Sequence, residues 1–131
     1  TAPLRKPNDL GNAVKLFRKK GWDSCFSGVA LHSFLIWKRD NKGKLTSINY
    51  DYKNQGPRQM REPDYHENGA IYMFKPEIVL KNKNRFGGNI GIFPNDFWQS
   101  FELDEPEEWN FVELVFRKYL LEDYKNLGIN L

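Results

Sequence analysis

The sequence is poor in cysteine and has no long uncharged stretch. Cys25 is the single cysteine among 131 residues, so no disulfide can form within the chain and we expect a reducing cytoplasm. The longest stretch without a charged side chain runs from Ser24 to Trp37, short of the roughly 20 residues that a membrane helix needs. The N-terminal residues TAPLRKPND contain no apolar signal core. We therefore expect neither a membrane span nor a secretory signal.

A strong charge imbalance is also missing. Twenty Lys and Arg residues stand against 17 Asp and Glu residues, and the net charge of +3 is spread without long blocks of one sign. Basic and aromatic residues are interleaved in YDYKNQGPRQMR, which leaves a nucleic-acid-binding module as the weakest alternative. The imbalance is too small to predict nucleic-acid binding, so we expect no such partner.

The usual catalytic and metal-binding patterns of Cys and His are absent as well. His32 and His66 lie in different segments, and Cys25 lies in a predicted buried strand. One Cys and two His at these separations fit neither a zinc template nor a Cys–His nucleophile. We expect core or surface roles for all three.

The chain does contain enough apolar material for one folded domain. Its residues are 40% hydrophobic and 15% aromatic, and its length is that of a single core-forming unit. The order of elements along the chain alternates between strand and helix patterns. We therefore predict a single α/β domain over residues 1–131.

Two helices are predicted with clear ends. In KPNDLGNAVKLFRKKGW, Asn8 is the expected N-cap and Gly21 the stop. The expected buried positions share the i, i+3, i+4, i+7 spacing and are Leu10, Ala13, Val14 and Phe17. In ELDEPEEWNFVELVFRKYL, Asp104 and Glu107 have the spacing of a capping box, with Pro106 in the first turn. The buried face expected there consists of Trp109, Val112, Phe116 and Tyr119 or Leu120.

Strand patterns fill the middle of the chain. The nearly uncharged DSCFSGVAL predicts a strand buried on both faces, and FLIWKRDNKGKLTSINY predicts a hairpin that turns at Asn41-Lys42-Gly43. Residues 51–64 have little apolar content and predict a loop, followed by a strand in GAIYMF, a short helix from Pro76, and a strand in NIGIF. We expect the hairpin to belong to an inserted lobe over residues 38–90, roughly.

Four segments resemble a known family in order and spacing. TAPLRKPNDLGNAVKLF, GPRQMREPDYHENGAIYMFKPEIVL, NRFGGNIGIF and SFELDEPEEW are similar to the second half of the acylneuraminate cytidylyltransferases, the CMP-sialic acid synthetases. The resemblance implies an incomplete Rossmann-like nucleotidyltransferase sheet with an inserted hairpin dimerisation lobe. It also implies transfer of CMP from CTP to a nonulosonic, sialic-like sugar acid, with release of pyrophosphate, by a homodimer that uses Mg²⁺.

The resemblance also implies roles for individual residues. Arg5 matches a nucleotide-facing arginine, although a solvated terminal arginine explains it equally well. Arg58 is the implied catalytic arginine, because its guanidinium fits a sugar carboxylate or phosphate; the alternative is a solubilising loop residue. The other implied substrate-binding residues are Gln59, Asn68, Gly69, Tyr72 and Phe86. An Asn-Gly turn leading into a core strand is the plain structural alternative for Asn68 and Gly69.

Glu102 and Asp104 match the metal-binding carboxylate pair of the family. Mg²⁺ prefers such oxygen ligands together with water and substrate phosphates, and Asp104 is also the implied catalytic carboxylate. Glu102 stands where the family has Asp, which lengthens one ligand arm. Asp104 has a second interpretation as the N-cap of the last helix.

The glycine- and lysine-rich triphosphate loop that opens family enzymes has no counterpart in residues 1–131. We therefore expect this sequence to be the C-terminal part of a longer enzyme, and the isolated chain to lack synthetase activity. The alternative is a catalytically silent dimerisation or sugar-binding remnant. The sequence does not distinguish among N-acetylneuraminic, legionaminic and pseudaminic acids as substrate.

Overall fold

The fold contains a three-stranded sheet, a two-stranded hairpin and several helices. The computed structural model describes residues 1 to 129, apart from the side chain of Arg58. Its helices are α1 (Asp9–Lys20), α2 (Pro76–Asn82), α3 (Trp109–Tyr119) and α4 (Leu121–Asn126). Its strands are β1 (Ser24–Leu31), β2 (Trp37–Arg39), β3 (Leu45–Ser47), β4 (Asp64–Phe74) and β5 (Ile90–Pro94). Single 3₁₀ turns cover Arg58–Met60, Phe97–Ser100 and Pro106–Glu108. The α/β class predicted from the sequence is confirmed.

The chain divides into two compact units. The first comprises Thr1–Val29 and Glu67–Leu131 and is called the sheet unit, whereas the second comprises Ala30–His66 and is called the hairpin unit. The wider bounds predicted for an inserted lobe, residues 38–90, stay a prediction. Within the described residues, no helix combines the length and apolar character required to cross a bilayer.

The main sheet has the strand order β4-β1-β5, with β1 at its centre. Strands β1 and β5 are parallel, and their register places Ser24 opposite Ile90 and Gly28 opposite Pro94. The central position explains why β1 is buried along most of its length, as predicted from its lack of charge. Strand β4 begins at Asp64, five residues before the predicted start, because the charged YHEN stretch is already extended.

The hairpin predicted around Asn41-Lys42-Gly43 is confirmed. Strands β2 and β3 are antiparallel, with Trp37 opposite Ser47. The Asp40 carboxylate closes the turn by accepting the backbone N–H groups of Lys42 and Lys44, both at 2.9 Å. Gly43 has a φ of 82°, a conformation that favours glycine.

Helix α1 ends as predicted and is buried differently from the prediction. Gly21 adopts the left-handed C-cap conformation. Asn8 stands at the N-cap, but its side chain makes no capping hydrogen bond. Ala13 is wholly buried, whereas Leu10 is 62% exposed, so the prediction of Leu10 as a core residue was wrong. Leu16, which was not among the predicted buried positions, packs against the core cluster that contains Ala13.

The N-terminal end of α3 corrects the predicted capping box. The Glu108 carboxylate accepts the N–H groups of Asp104 at 2.7 Å and Glu105 at 3.0 Å, and these bonds hold the pKa of Glu108 below its usual value. The capping box is formed by Glu105 and Glu108, so the predicted box of Asp104 and Glu107 was wrong. The register is shifted because the chain first makes a 3₁₀ turn at Pro106–Glu108 and enters α3 only at Trp109.

The core beneath α3 follows from this shift. Val112, Val115 and Leu120 are buried together with Leu4, so Leu120, not Tyr119, occupies the last buried position. Trp109 is 59% exposed, because it starts the helix on the outer side. Phe116 packs against this cluster, as predicted. The cluster fixes the N-terminal segment against α3, which brings residues 1–5 next to the segment that precedes the helix.

Candidate functional site

Three of the segments that resemble the family converge at Gly69. Gly69 has a φ of 67°, and a Cβ on it would collide with Oε1 of Glu102 and lie 3.9 Å from Ala2. The Arg5 guanidinium donates to the carbonyl of Ala70 at 3.3 Å. The strand entry at Gly69, the N-terminal loop and the acidic segment therefore meet at one place in the sheet unit.

A backbone contact joins the same loop and acidic segment a second time. The N–H of Leu103 donates to the carbonyl of Thr1 at 2.7 Å. Leu103 lies between Glu102 and Asp104 in the sequence, so this bond places the backbone of the acidic segment beside the N-terminal segment. The convergence could not be read from local patterns, because the partners are about 100 positions apart in sequence.

A buried polar network lies directly behind Gly69, and we define it by Asp9, Ser27, Asn68, Asn95 and Gln99. Ser27 Oγ donates to Asn68 Oδ1 at 2.6 Å, while Asn68 Nδ2 donates to Asn95 Oδ1 at 2.9 Å and to the Gln99 carbonyl at 3.0 Å. Gln99 Nε2 donates in turn to Asp9 Oδ2 at 2.7 Å. Among the described side chains, no buried polar atom lacks a partner. The network is therefore a fully satisfied polar core.

Asn68 itself is wholly buried, with 0% of its surface exposed. Both N–H groups of its amide and its carbonyl oxygen are engaged inside the protein, and the Ala70 N–H also reaches Oδ1 at 3.4 Å. Direct contact between Asn68 and a ligand stays a prediction. The geometry favours a role in holding the backbone at Gly69 in place.

An aromatic corner surrounds Tyr72 on β4. The Tyr72 hydroxyl donates to Glu67 Oε2 at 2.9 Å, and burial together with this carboxylate raises the pKa of Tyr72. The Phe86 ring lies edge-on to Tyr72 with centroids 5.9 Å apart, and it contacts Phe26 in the same way. The Arg85 guanidinium stacks 4.0 Å from the Tyr72 ring centroid. The predicted residues Tyr72 and Phe86 are thus neighbours, and Arg85 completes the surface between them.

Glu102 and Asp104 line one shallow depression together with Glu107 and Glu108. The Glu108 carboxylate is engaged by the N–H groups of Asp104 and Glu105, whereas the carboxylates of Glu102 and Asp104 make no hydrogen bond or ion pair with another described residue. Among residues 1–129, no cluster of three or more Asp, Glu, His or Cys side chains has the geometry of a complete metal site. Two free carboxylates on one open surface suit a cation that keeps water and phosphate ligands of its own.

The remaining predicted residues lie in the hairpin unit. Gln59 is exposed within the 3₁₀ turn Arg58–Met60, and the side chain of Arg58 lies outside the described part of the structure. The roles of both stay predictions. Arg5, Asn68 and Glu102 lie at or beside Gly69. Asp104 shares the depression of Glu102, and Tyr72 and Phe86 form the aromatic corner.

A cleft of about 520 Å³ in the hairpin unit is lined in part by Asn49 and Arg61. Asn49 Nδ2 donates to the Phe34 carbonyl and to Asp64, and Arg61 donates to the Asn49 carbonyl and to Asp64 at 2.7 Å each. These hydrogen bonds hold the loops of the unit together along part of the wall of the cleft.

Sequence reasoning missed Gln99, Asn95 and Arg85. Gln99 is 3% exposed in a short 3₁₀ turn, and a polar residue between aromatic neighbours in DFWQSF was the only signal of its burial. Arg85 lies in the matched segment NRFGGNIGIF, but no role in the site was predicted for it. Its stacking on Tyr72 depends on a contact between β4 and the loop before β5, which no local pattern specifies.

Comparison with known proteins gives several relatives that cover most of the chain. It is 28% identical over 123 residues to the post-translational flagellin modification protein B of Campylobacter coli, covering 90% of this chain and 50% of that protein. It is 31% identical over 116 residues to the N-acylneuraminate cytidylyltransferase A of Danio rerio, covering 86% of this chain and 26% of that protein. A shorter match, 34% identical over 58 residues, covers 44% of this chain and 25% of the CMP-N,N'-diacetyllegionaminic acid synthase of Campylobacter jejuni.

The chain therefore spans half the length of one of these relatives and about a quarter of the other two. No family model matches it. The resemblance described from the four sequence segments is confirmed by the relatives.

Proposed function

We propose that this chain, a homologue of the acylneuraminate cytidylyltransferases, is the C-terminal part of a longer enzyme that transfers CMP from CTP to a sialic-acid-like 2-keto sugar acid. In this reaction the anomeric hydroxyl of the sugar acid attacks the α-phosphate, and pyrophosphate leaves. The named activities of two relatives, an N-acylneuraminate cytidylyltransferase and a CMP-N,N'-diacetyllegionaminic acid synthase, support the reaction class.

The observation that carries the proposal is the convergence at Gly69. Arg5, Gly69 and Glu102 come from three distant segments, yet Arg5 bonds the residue after Gly69 and Glu102 packs over Gly69 itself. A structural turn alone needs glycine for its positive φ but does not need a carboxylate over it. Bringing an arginine and a carboxylate to one glycine, with Asp104 in the same depression as Glu102, suits the handling of a phosphate–metal complex.

Mg²⁺ is the proposed cofactor, and Glu102 and Asp104 are its proposed ligands. The donor set fits, because both carboxylates are free of internal partners and share one open depression. When bound there, the cation would offset the negative charge of the triphosphate and of the leaving pyrophosphate. The glutamate at position 102 reaches further than an aspartate, which agrees with its placement over Gly69.

The chain's own residues are assigned complementary roles. Arg5 presents a fixed guanidinium to a phosphate or carboxylate, because its bond to Ala70 orients it. Tyr72 and Phe86 form an apolar wall for the acyl side of the sugar, with Gly69 allowing close approach of the backbone. Arg58 is proposed to hold the sugar carboxylate, with Gln59 beside it.

A homodimer in the cytoplasm is the proposed assembly. The hairpin unit exposes large apolar side chains that are each between 42% and 59% exposed, namely Leu35, Ile36, Trp37, Leu45, Ile48 and Tyr52. Apolar surface concentrated in one short segment suits contact with a second copy. The single cysteine, Cys25, is buried and free, which is compatible with a reducing compartment.

The test uses the longest open reading frame that contains this sequence, expressed as one protein. Pyrophosphate release from CTP is measured with N-acetylneuraminic acid and with a legionaminic acid, with and without Mg²⁺. Turnover that depends on both CTP and sugar acid is expected. Glu102→Ala should lower turnover about 100-fold, because it removes one arm that positions the charge-neutralising cation.

Glu107→Ala is the matched control, because Glu107 lines the same depression but is not one of the two carboxylates matched to the metal-binding pair. It should keep turnover near that of the parent protein. Equal losses in the two variants would contradict the assignment of Glu102 and Asp104. A protein that binds sugar acid but never turns over CTP would replace the proposal by the silent sugar-binding alternative.

A further inference from the structure

We propose that Gln99 is the positioning residue of the candidate site, because its carboxamide fixes the segment that carries Arg5 against the segment that carries Glu102. The inference rests on the proposed function, since it assumes that Arg5, Gly69 and Glu102 act together. Neither Gln99 nor its partner Asp9 was among the residues implied by the family resemblance. The role of Gln99 and Asp9 in positioning the two segments is inferred from the geometry alone.

The first argument is that both polar atoms of the Gln99 side chain form hydrogen bonds. Its Nε2 donates to the Leu4 carbonyl at 3.1 Å and to Asp9 Oδ2 at 2.7 Å. Its Oε1 accepts the N–H of Asp96 at 3.1 Å. Leu4 precedes Arg5 directly, so the carboxamide holds the backbone of the arginine-bearing loop from inside the protein.

The second argument is the position of Gln99 relative to the other two segments. Its own carbonyl accepts Asn68 Nδ2 at 3.0 Å, next to Gly69. Glu102 follows three positions later along the chain. One residue therefore contacts the loop of Arg5 and the entry to Gly69, and it lies on the segment of Glu102.

The third argument is burial. Gln99 is 3% exposed and Asp9 is 6% exposed, so a shift of either segment would leave donors and acceptors unpaired away from water. Such unpaired groups are costly, and the network consequently resists small displacements. The Lys6–Asp96 ion pair joins the same two segments at the surface, with side chains 43% and 54% exposed, and such exposed pairs contribute little.

The test compares Gln99→Met with Val29→Ala by amide hydrogen exchange on this 131-residue chain. Methionine has nearly the shape of glutamine but cannot replace its hydrogen bonds. Val29 is buried at 1% exposure in β1 outside the network, so its variant reports general destabilisation. The informative amide is that of Leu103, which donates to Thr1 at the junction of the two segments.

We expect Gln99→Met to accelerate exchange at Leu103 at least about tenfold more than Val29→Ala does, after both rates are corrected for global stability. Equal acceleration in the two variants would overturn the proposal, because Gln99 would then be only a stabilising core residue. Should Gln99→Met fail to fold, Asp9→Asn and Asp9→Leu give the same comparison. Asparagine keeps an oxygen that accepts the Lys6 and Gln99 donors, so Asp9→Asn should protect Leu103 and Asp9→Leu should not.

A second readout uses the longer enzyme. Gln99→Met should lower kcat at least about tenfold while the KM for the sugar acid stays within about twofold, since the network does not touch the aromatic corner. Val29→Ala at matched stability should leave kcat unchanged. A longer protein without CMP transfer would refute the proposed function, whereas the exchange result at Leu103 decides the positioning role by itself.

Discussion

The two units of the molecule are opposites in what they bury. Every buried side chain among the described residues belongs to the sheet unit, which encloses both apolar clusters and the polar network around Asn68. In the hairpin unit, residues 30–66, no described side chain is buried, and several of the largest apolar ones face outward. The sheet unit is therefore specified by its interior, and the hairpin unit is held by its turns and by exposed polar bonds.

This difference indicates where each unit has room for function. In the sheet unit, the buried polar network behind Gly69 has complete hydrogen bonds, so the backbone at Gly69 is held in place before any ligand arrives. The hairpin unit has apolar surface without a core of its own, and such surface is stabilised by a covering partner. A preformed site in one unit and an assembly surface in the other agree with the proposed dimeric enzyme.

Replacing one asparagine in each unit tests whether the buried hydrogen bonds of the sheet unit contribute more to stability than the exposed ones of the hairpin unit. Asn68→Ala should reduce the free energy of unfolding by about 3 kcal/mol, because it leaves Asn95 and the buried Gln99 carbonyl without their partner. Asn49→Ala removes three comparable bonds in the hairpin unit but should cost only about 1 kcal/mol, since water replaces them at a partly exposed position. Urea denaturation of both variants measures the difference. Similar losses would mean that the network around Asn68 is no more demanding than the loop contacts around Asn49.

Two glycines with positive φ provide the next comparison. Gly69→Ala should cost about 2 kcal/mol, because the left-handed conformation is strained for alanine and its Cβ meets Glu102. Gly43→Ala, at a φ of 82° in the hairpin turn, should cost about 1 kcal/mol, because only Arg39 Nη1 lies nearby at 3.9 Å.

A double-mutant cycle isolates the contact between Gly69 and Glu102. Shortening the acidic side chain in Gly69→Ala with Glu102→Ala should recover part of the loss, so the double variant should be more stable than the sum of the single variants predicts. Additive losses would show that Glu102 moves away freely and does not pack over Gly69.

In self-association, a substitution in the hairpin unit should have a larger effect than one in the sheet unit, which is the reverse of the stability comparisons. Ile48→Ser in the hairpin unit should weaken the dimer about tenfold, or about 1.4 kcal/mol, because it removes apolar surface from the proposed contact. Leu114→Ser on α3 is the control, since Leu114 is 64% exposed compared with 59% for Ile48. Sedimentation equilibrium measures both. A chain that stays monomeric at every concentration, or an equal effect of Leu114→Ser, would contradict the assignment of this surface.

Features with local causes could be predicted from the sequence. The end of α1 at Gly21 and the turn at Gly43 each depend on a few neighbouring residues, and both predictions were confirmed. The capping box was placed wrongly on Asp104 and Glu107, because Glu105 and Glu108 have the same spacing one position later and the 3₁₀ turn at Pro106–Glu108 uses that pair.

The candidate site could be predicted only as separate pieces. The motif residues Arg5, Gly69 and Glu102 were identified by resemblance, but their contact depends on partners far apart in sequence. The burial of Asn68 also could not be foreseen, since its hydrogen-bond partners lie 27 to 41 positions away. Burial and satisfaction of such a residue are properties of the assembled fold.

The smallest expected effect is a difference in how Asp23 and Asp51 contribute to the pH dependence of stability. In the sheet unit, the N–H of Asn89 and then Lys75, whose Nζ lies 2.6 Å from Oδ1, hold the pKa of Asp23 below its usual value. In the hairpin unit, the N–H of Lys53 and the side chain of Asn54 lower the pKa of Asp51. A folded-state pKa below the unfolded one adds stability that is present above about pH 4 and lost as the pH falls through the lowered value.

The expected difference comes from the distance between partners along the chain. The bonds of Asp23 join residues more than 50 positions apart, whereas Asp51 bonds its second and third neighbours, and such local turns persist in part in the unfolded chain. Asp23→Asn should therefore flatten the acid side of the stability profile more than Asp51→Asn, as measured by urea midpoints from about pH 7 to about pH 2. Asp23 also raises the pKa of Lys75, which adds stability that is lost as the pH rises through the raised value; Asp23→Asn should therefore flatten the alkaline side of the profile as well, and Asp51→Asn should not. An equal response of the two variants at both ends of the profile would place the ionic stabilisation in local turns and remove this distinction between the units.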